Sequence, residues 1–291
     1  MPPDATRRGA IVGAAAALVT VGPVSAATDG FALLEQRVGG RLGLAALDTA
    51  SGERLGHRAG ERFPMCSTFK LLAVGAVLGR VDRNRERLDR FIAYGEADLL
   101  DYAPVTRAHV KEGGLPLGDL CQAAIELSDN TAANLILRQI GGPAAVTAFS
   151  RSLGDNVTRL DRNEPTLNTA IPGDPRDTTT PAAMLADLRA LSLGGVLSPG
   201  SRERLTGWLV GCQTGKTRLR AGLPAGWRVG DKTGTGVNGT ANDVAVAWAP
   251  RGPILIACYL TQTARASDTA RATVHAEVAR IVVERFRGLH G

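Results

Sequence analysis

The chain has 291 residues, of which 44% are hydrophobic, so it is long enough to bury a large core in one or two globular domains. Its formal net charge is +6, from 34 basic and 28 acidic residues that are scattered without a basic block. Together with only 4% aromatic residues, this excludes a surface built to follow a nucleic-acid backbone or to stack bases.

The first 27 residues are typical of an export signal that is removed from the mature chain. Two arginines and a short apolar run at residues 10–21 precede Pro23 and the small residues 25–27. The run is too short to span a bilayer, which needs about 20 apolar residues. We therefore expect a periplasmic or secreted protein without membrane association, and the arginine pair hints at the twin-arginine route.

The next elements are a helix, two strands and a long helical segment. Residues 30–40 have apolar side chains at helical spacing and end in a glycine pair, which predicts a first helix. Residues 41–60 are typical of two strands around the turn D-T-A-S-G. From Ser67 to about residue 212 the pattern is mostly helical, and Thr180 and Pro181 mark a clear helix start.

Strands return near the C-terminus, at residues 227–236, 240–249 and 253–263. The last two flank the turn P-R-G and predict an antiparallel hairpin. Residues 271–289 then predict a closing amphipathic helix.

These elements predict an α/β (α+β) fold of two lobes. Two N-terminal strands cannot form a stable sheet alone, so we expect one five-stranded antiparallel sheet, drawn from both ends of the chain and flanked by helices. This α/β lobe would comprise residues 28–60 and 214–291. Residues 61–213 would form an all-helical lobe that contains a loop at residues 159–177. A site is expected in the cleft between the lobes.

Ser67 and Lys70 are the first candidates for chemistry, in the stretch F-P-M-C-S-T-F-K-L-L. Residues three apart share one face of a helix, and Pro64 is expected to help start that helix. A serine becomes a good nucleophile when a base takes its proton, and a lysine can be that base if burial lowers its pKa. The S-x-x-K motif alone arises by chance about once in a chain of this length.

Other catalytic arrangements are missing from the sequence. The four histidines have no metal-binding spacing, and there is no G-x-S-x-G motif, so we expect no metal and no cofactor. The cysteines form no C-x-x-C pair, and we expect them to be buried free thiols. They are Cys66, Cys121, Cys212 and Cys258.

Three further motifs indicate that Ser67 and Lys70 belong to a catalytic site. S-D-N at residues 128–130 precedes a predicted helix, E-P-T-L-N at residues 164–168 lies in a turn-rich stretch, and K-T-G-T-G at residues 232–236 lies in a predicted strand. Taken singly, these motifs also fit a helix cap, a surface loop and a strand that another backbone approaches closely. In this order, they are highly specific.

The chain resembles the class A serine β-lactamases, which carry S-x-x-K, S-D-N and K-T-G motifs. The resemblance runs from about residue 30 to 289 and includes the strings R-L-D-R-N-E-P-T-L-N and G-D-K-T-G-T-G. It implies the fold that serine β-lactamases share with penicillin-binding proteins. It also implies hydrolysis of β-lactam antibiotics by a monomer, with small-molecule substrates as the only partners.

The resemblance implies a role for each matching residue. Ser67 would attack the lactam carbonyl, with its own N–H and that of Thr235 as the oxyanion hole. Either Lys70 or Glu164, through a water, would take the serine proton, and Ser128 would protonate the lactam nitrogen. Glu164 would then activate the water that hydrolyses the acyl-enzyme. The residues implied in substrate or water binding are Asn130, Asn168, Lys232, Thr233, Thr235, Arg218 and Tyr102.

The resemblance also implies structural features and some departures. Arg162 and Asp177 would join the ends of the loop, and the Glu164–Pro165 bond would be cis. The cysteine pairs found in some relatives are absent, because Val74 lies opposite Cys121 and Gly236 stands where a partner of Cys66 would be. Arg218 would replace an arginine that many members carry on the strand after K-T-G.

Two alternatives share the fold. A penicillin-binding D,D-peptidase would be acylated without turnover, and Glu164 with Asn168 argues against it. An inactive binding protein would require a broken motif, and each motif is intact.

Overall fold

A computed structural model describes residues 27–288, so the predicted export segment lies outside the described residues apart from Ala27. The helices are α1 (Ala27–Val38), α2 (Phe69–Val81), α3 (Pro104–Ala108), α4 (Leu117–Glu126), α5 (Asn130–Ile140), α6 (Pro143–Ser152), α7 (Pro181–Ser192), α8 (Pro199–Val210), α9 (Leu219–Gly222) and α10 (Asp268–Gly288). The strands are β1 (Arg41–Asp48), β2 (Arg54–His57), β3 (Phe63–Pro64), β4 (Phe91–Ala93), β5 (Gly114–Pro116), β6 (Thr178–Thr179), β7 (Arg228–Gly236), β8 (Thr240–Ala249) and β9 (Gly252–Thr261).

The main sheet has five strands in the order β2-β1-β9-β8-β7, and every neighbouring pair is antiparallel. The predicted five-stranded sheet from both ends of the chain is therefore confirmed. The ends meet where β1 pairs with β9, for example at Leu44 and Cys258. This pairing places β7, which carries K-T-G-T-G, at the sheet edge nearest the helical segment.

Both faces of the sheet are covered, because side chains alternate along each strand. Along β9, Ile256 and Cys258 belong to a cluster that includes residues of α1 and α10. Leu255 and Tyr259 point the other way, into a larger cluster built mainly from α2, α4, α5 and α7. Strand β9 is apolar almost throughout because neither of its faces meets water, whereas the edge strand β2 is partly exposed.

The segment expected to be helical also contains two short ladders that the sequence did not predict. Strand β3 pairs with β6, and β4 pairs with β5. Pro64 consequently lies in β3, where it pairs with Thr178, and does not start a helix. Two- and three-residue strands are too short to produce an alternating pattern.

Side-chain caps start several helices where the sequence predicted them. Thr180 accepts a hydrogen bond from the Ala183 N–H at 3.2 Å, directly before Pro181. Asp129 caps α5 by accepting from the Ala132 N–H at 2.8 Å. The first and last helices begin earlier than predicted, at Ala27 and Asp268. Across residues 27–288, no helix combines the length and the apolar character needed to cross a membrane.

Candidate active site

Ser67 lies in a single 3-10 turn, Cys66–Thr68, that joins β3 to α2. The Asn242 amide fixes this turn from β8 by donating to the carbonyls of Pro64 at 2.8 Å and Met65 at 3.0 Å. Cys66 has a φ of +45°, a conformation that side chains rarely adopt without support from the surrounding structure. Ser67 is thus held at the start of α2, as expected, although by a turn that precedes the helix.

Lys70 occupies the first turn of α2, and its side chain is completely buried. Its Nζ lies 3.0 Å from Glu164 Oε1 and donates to Asn130 Oδ1 at 2.6 Å. It also donates to the carbonyl and the hydroxyl of Ser128, at 2.8 and 3.3 Å. Burial lowers the pKa of Lys70, and the nearby Glu164 opposes that shift.

Ser128 lies between two lysines. Lys232 Nζ donates to Ser128 Oγ at 3.1 Å from the side opposite Lys70 and to the Thr233 carbonyl at 2.8 Å. Burial lowers the pKa of Lys232 to about 8, and the positive charge of Lys70 acts in the same direction. The φ of Ser128 is +58°, so its backbone is also held in a sparsely populated conformation.

Glu164 faces Ser67 directly. Ser67 Oγ donates to Glu164 Oε1 at 3.2 Å, and Asn168 Nδ2 donates to Oε2 at 2.5 Å. The Glu164–Pro165 bond is cis, as the resemblance implies. Asn134, on α5, fixes the main chain of Glu164 by accepting from its N–H and donating to its carbonyl, both at 2.9 Å.

Arg162 and Asp177 lie away from the cleft, where the two ends of the 159–177 loop meet. Arg162 Nε is 2.5 Å from Asp177 Oδ2, and Asp177 is 1% exposed. Asp177 Oδ1 also accepts from the N–H groups of Asp161 and Arg162, at 2.8 and 2.9 Å. Asp161 in turn accepts from the Asp177 N–H at 3.0 Å. Asp177 is therefore buried and held by several hydrogen bonds, and its pair with the partly buried Arg162 is not a solvated surface ion pair.

Strand β7 runs directly against the Ser67 turn. A side chain at Gly234 would come within 2.7 Å of the Met65 carbonyl and 3.2 Å of the Ser67 nitrogen, so only glycine permits this approach. The neighbouring Thr235 hydroxyl accepts from Arg218 at 2.7 Å. Arg218 also donates to the carbonyls of Gly234 and Asn242, at 2.9 and 2.6 Å, and these bonds hold its guanidinium beside β7.

These elements enclose a cavity of about 290 Å³. Its lining consists of Ser67, Tyr102, Ser128, Asn130, Asn168, Thr214, Arg218, Thr233, Gly234 and Thr235. Lys70, Lys232 and Glu164 contact these residues from behind. Tyr102 is half exposed at the rim, and Thr233 Oγ1 is hydrogen-bonded to Thr214 Oγ1 at 2.6 Å. A larger cavity of about 630 Å³ lies between α7 and β1, and no predicted site residue lines it.

The four cysteines are buried free thiols, as predicted. Burial raises the pKa of Cys66, and the nearby Glu164 adds to that shift, so the thiol stays protonated. A Cβ atom at Gly236 would lie 2.6 Å from Cys66 Sγ. Gly236, which stands where a partner cysteine of Cys66 would be, therefore lies directly beside Cys66. Within residues 27–288 no group of three His, Cys, Asp or Glu side chains is arranged to hold a metal ion.

Sequence reasoning missed three positioning residues. Asn134 follows Asn130 by four positions and therefore lies on the same face of the helix. This spacing could have identified Asn134 as a residue near the site. Asn242 and the adjacent Asp243 are polar residues in a strand that is apolar from Val244 onward, and this was a second signal. Thr214 carried no signal, because it lies in an irregular segment and reaches Thr233 only through the fold.

Comparisons with known proteins agree with this geometry. The model of the β-lactamase enzyme family matches residues 27–286. The chain is 53% identical to β-lactamase AST-1 of Nocardia asteroides over 87% of its length and 82% of the relative. It is 52% identical to β-lactamase L2 of Stenotrophomonas maltophilia, over 92% and 88% of the two chains.

Solved structures give the same result. An ancestral class A β-lactamase is 62% identical, with a TM-score of 0.87 over 89% of this chain and 100% of that one. The putative class A β-lactamase PenP from Rhodopseudomonas palustris is 56% identical, with a TM-score of 0.87 over 90% and 100%.

Proposed function

Because this chain belongs to the class A β-lactamases, a family of hydrolases, we propose that it opens the β-lactam ring of penicillins and cephalosporins through an acyl-enzyme on Ser67. The observation that carries this proposal is the contact of Ser67 with Glu164, and of Glu164 with Lys70, at the edge of a cavity large enough for a small substrate. Such hydrolysis would give resistance to these antibiotics.

Acylation requires a base for Ser67 and a route for its proton. Ser67 Oγ already donates to Glu164 Oε1, so Glu164 takes the proton in this proposal. Lys70 lies 3.0 Å from Glu164 and 3.3 Å from Ser128 Oγ, and so connects the two. The proton would pass from Glu164 through Lys70 to Ser128, and then to the lactam nitrogen as the C–N bond breaks.

The oxyanion that forms on the lactam carbonyl needs donors. The N–H groups of Ser67 and Thr235 fill this role in the proposal, because the glycine at position 234 lets β7 approach the Ser67 turn. Preorganised donors of this kind are typically worth about 10²–10³ in rate each.

Deacylation depends on Glu164 and Asn168. A carboxylate that orients and deprotonates a water typically accelerates such a step about 10²–10⁴-fold. Asn168 holds one carboxylate oxygen with its amide nitrogen. Its own Oδ1 is buried and takes no hydrogen bond from residues 27–288, so it is free to accept one from that water. Arg162 and Asp177 support both residues by fixing the ends of the loop.

The substrate carboxylate would bind at the β7 side of the cavity. Lys232, Thr233, Thr235 and Arg218 surround this end with two positive charges and two hydroxyl groups. Asn130 would bind the side-chain amide of the substrate, and Tyr102 would form the opposite wall of the cleft.

We also propose the division into lobes, residues 28–60 with 214–291 and residues 61–213, with the cavity between them. The proposal also includes export to the periplasm or the medium. Residues 1–27 would be a cleavable signal, and the mature protein would be a monomer. Each can be checked on the expressed full-length chain, by N-terminal sequencing of the exported product and by light scattering.

The decisive experiment follows hydrolysis of a chromogenic cephalosporin by the purified mature chain. We expect many turnovers per enzyme, unchanged by dialysis against EDTA. A single stoichiometric burst without turnover would indicate the D,D-peptidase alternative, and no reaction at all would indicate the inactive binding protein.

A further inference from the structure

A second pair of acidic residues lies outside the cleft, at the neck of the 159–177 loop. Asp155 is in the turn that leads into the loop, and Asp187 is in the middle of α7, the helix that follows it. They are 7% and 1% exposed. The two carboxyl groups are electrostatic neighbours, because each acts on the pKa of the other. The proposed mechanism uses neither residue.

Two carboxyl oxygens of this pair lack a hydrogen-bond donor unless one of the carboxyl groups is protonated. Asp155 Oδ1 accepts from the N–H groups of Val157 at 2.6 Å and Thr158 at 3.0 Å. Asp155 Oδ2 and Asp187 Oδ2 are both buried, and neither has a hydrogen-bond partner among residues 27–288. Two carboxylates only repel each other, whereas a carboxylic acid donates a strong hydrogen bond to a carboxylate.

The groups around the pair decide which carboxyl keeps the proton. Burial raises the pKa of Asp187 to about 9, and the charge of Asp155 raises it further, whereas Arg151 on α6 lowers it. The phenol of Tyr259 on β9 also faces Asp187. Asp155 is the ionised partner, because hydrogen bonds from Thr158 and Val157 outweigh its burial and lower its pKa.

The pair is connected to both ends of the loop. Arg151 donates to the carbonyls of Asp155 and Thr158, at 2.5 and 2.8 Å. The Thr158 hydroxyl is 2.6 Å from the hydroxyl of Thr179, which lies just after the loop. The turn that holds Asp155 is therefore attached to the strand that ends the loop, and Asp187 attaches that turn to α7.

We propose that Asp155 and Asp187 share one proton at neutral pH, and that this shared proton holds the neck of the 159–177 loop against α7. When the proton leaves, two adjacent buried carboxylates repel each other and the neck loosens. Asp187 is thus a positioning residue for Glu164, and this part of the inference rests on the proposed function.

The first test compares stability with that of Asp187→Asn, which keeps the shape and the donated hydrogen bond but carries no titrating group. The folded wild type holds this proton up to about pH 9, whereas the unfolded chain releases it near the ordinary value of 3.8. Stability of the wild type therefore falls with rising pH in that window, by up to about tenfold per pH unit in the unfolding constant. We expect the ratio of unfolding constants, wild type over variant, to rise at least about tenfold from pH 5 to pH 8.

Asp82→Asn is the matched control. Asp82 also accepts hydrogen bonds from Ser198 and Ser201, and these lower its pKa although its partial burial opposes the shift. Its pKa is ordinary in the unfolded chain and lowered in the folded state, so its ratio of unfolding constants should be flat from pH 5 to pH 8. An infrared difference spectrum at pH 7, wild type minus Asp187→Asn, should show the band of a protonated carboxyl, and the difference between wild type and Asp82→Asn should lack it. A flat ratio for Asp187→Asn, or no such band, would overturn the shared proton.

The second test concerns the loop. Proteolysis within residues 159–177, and hydrolysis of an isolated acyl-enzyme, are followed from pH 7 to pH 10. We expect the wild type to be cleaved several-fold faster and deacylated several-fold more slowly than Asp187→Asn at pH 10, with little difference at pH 7. Equal proteolysis at both pH values would refute the role at the neck. If the wild type never forms an acyl-enzyme, the proposed function fails while the stability and proteolysis results still decide this inference.

Discussion

Lys70 Nζ lies 3.0 Å from Glu164 Oε1, and neither side chain has any exposed surface. Removing one partner of such a pair leaves the other charge buried and uncompensated, which is costly. The surviving group then shifts its pKa toward the neutral form. The chemistry of each residue therefore depends on the presence of the other.

Glu164→Ala should separate the two halves of the reaction. Lys70 loses the carboxylate that opposes the lowering of its pKa, becomes neutral more readily, and can take the proton of Ser67. Acylation should persist. Turnover should fall about 10²–10⁴-fold, because no carboxylate remains to deprotonate the water that hydrolyses the acyl-enzyme. Mass spectrometry should show an accumulated penicillin adduct on Ser67. Absence of the adduct with turnover retained would mean that Glu164 is not the deacylating base, whereas absence of both would mean that Lys70 cannot replace it in acylation.

Asn134→Ala should weaken deacylation more than acylation. The variant loses both hydrogen bonds to the main chain of Glu164, each worth about 0.5–1.5 kcal/mol. We expect turnover to fall about tenfold, with the acyl-enzyme detectable in the steady state. Gln139→Ala, on the same helix but bonded to Arg90, is the control and should leave turnover unchanged. Equal losses in the two variants would point to general destabilisation of α5.

Lys232 should set an alkaline limit on activity. Its pKa is about 8, so its charge is lost as the pH rises through that value. The attraction proposed between Lys232 and the substrate carboxylate would be lost with it. We expect kcat/KM for a penicillin to decline above about pH 8. Lys232→Arg stays charged, so its decline should begin at a higher pH even if its maximum is lower. The same midpoint in both proteins would assign the limit to another group.

The lowered pKa of Lys232 has the opposite effect on stability: it makes the folded state more stable, not less, as the pH rises. Between about pH 8 and the ordinary value of 10.5, Lys232 is neutral in the folded state and protonated in the unfolded state. The unfolded chain binds more protons, so this group makes the folded state more stable as the pH rises across that window.

Gly236→Cys should form a disulfide with Cys66, because a Cβ at this position lies 2.6 Å from the Cys66 sulfur. Thiol titration of the unfolded, unreduced variant should find three free thiols, from the four cysteines of the parent and the one introduced. Gly236→Ala is the control, since it adds the same crowding against the Asn168 carbonyl but cannot form the bond. Five free thiols in the oxidised protein would contradict the prediction.

The sheet and most of the candidate catalytic residues could be predicted from the sequence, for different physical reasons. The strands and long helices follow from apolar periodicity and from caps such as Thr180 and Asp129, which are local signals. Ser67, Lys70, Ser128 and Glu164 were found through motifs. No local pattern could show that Glu164 contacts Ser67 directly, because that distance depends on how the 159–177 loop returns to the cleft.

Other features were hidden because they depend on contacts between distant segments. The pairing of β3 with β6 involves only two residues in each strand, too few for a pattern. Asp155 and Asp187 are 32 positions apart in the sequence, and each alone looks like an ordinary charged residue. The burial that changes their chemistry exists only once α7 has packed on the sheet.

The pairing of β1 with β9 has a consequence for the order in which the protein becomes active. Asp48 pairs with Ile254, so the central ladder joins segments that are synthesised about 200 residues apart. Such high contact order makes folding slow, because the entropy of closing a long loop is lost before the contacts that stabilise the closed form are made. Strand β7, which brings Lys232 and Thr235, is also made late. A nascent chain could therefore assemble its helices early but would have no working catalytic centre until its last strands had emerged.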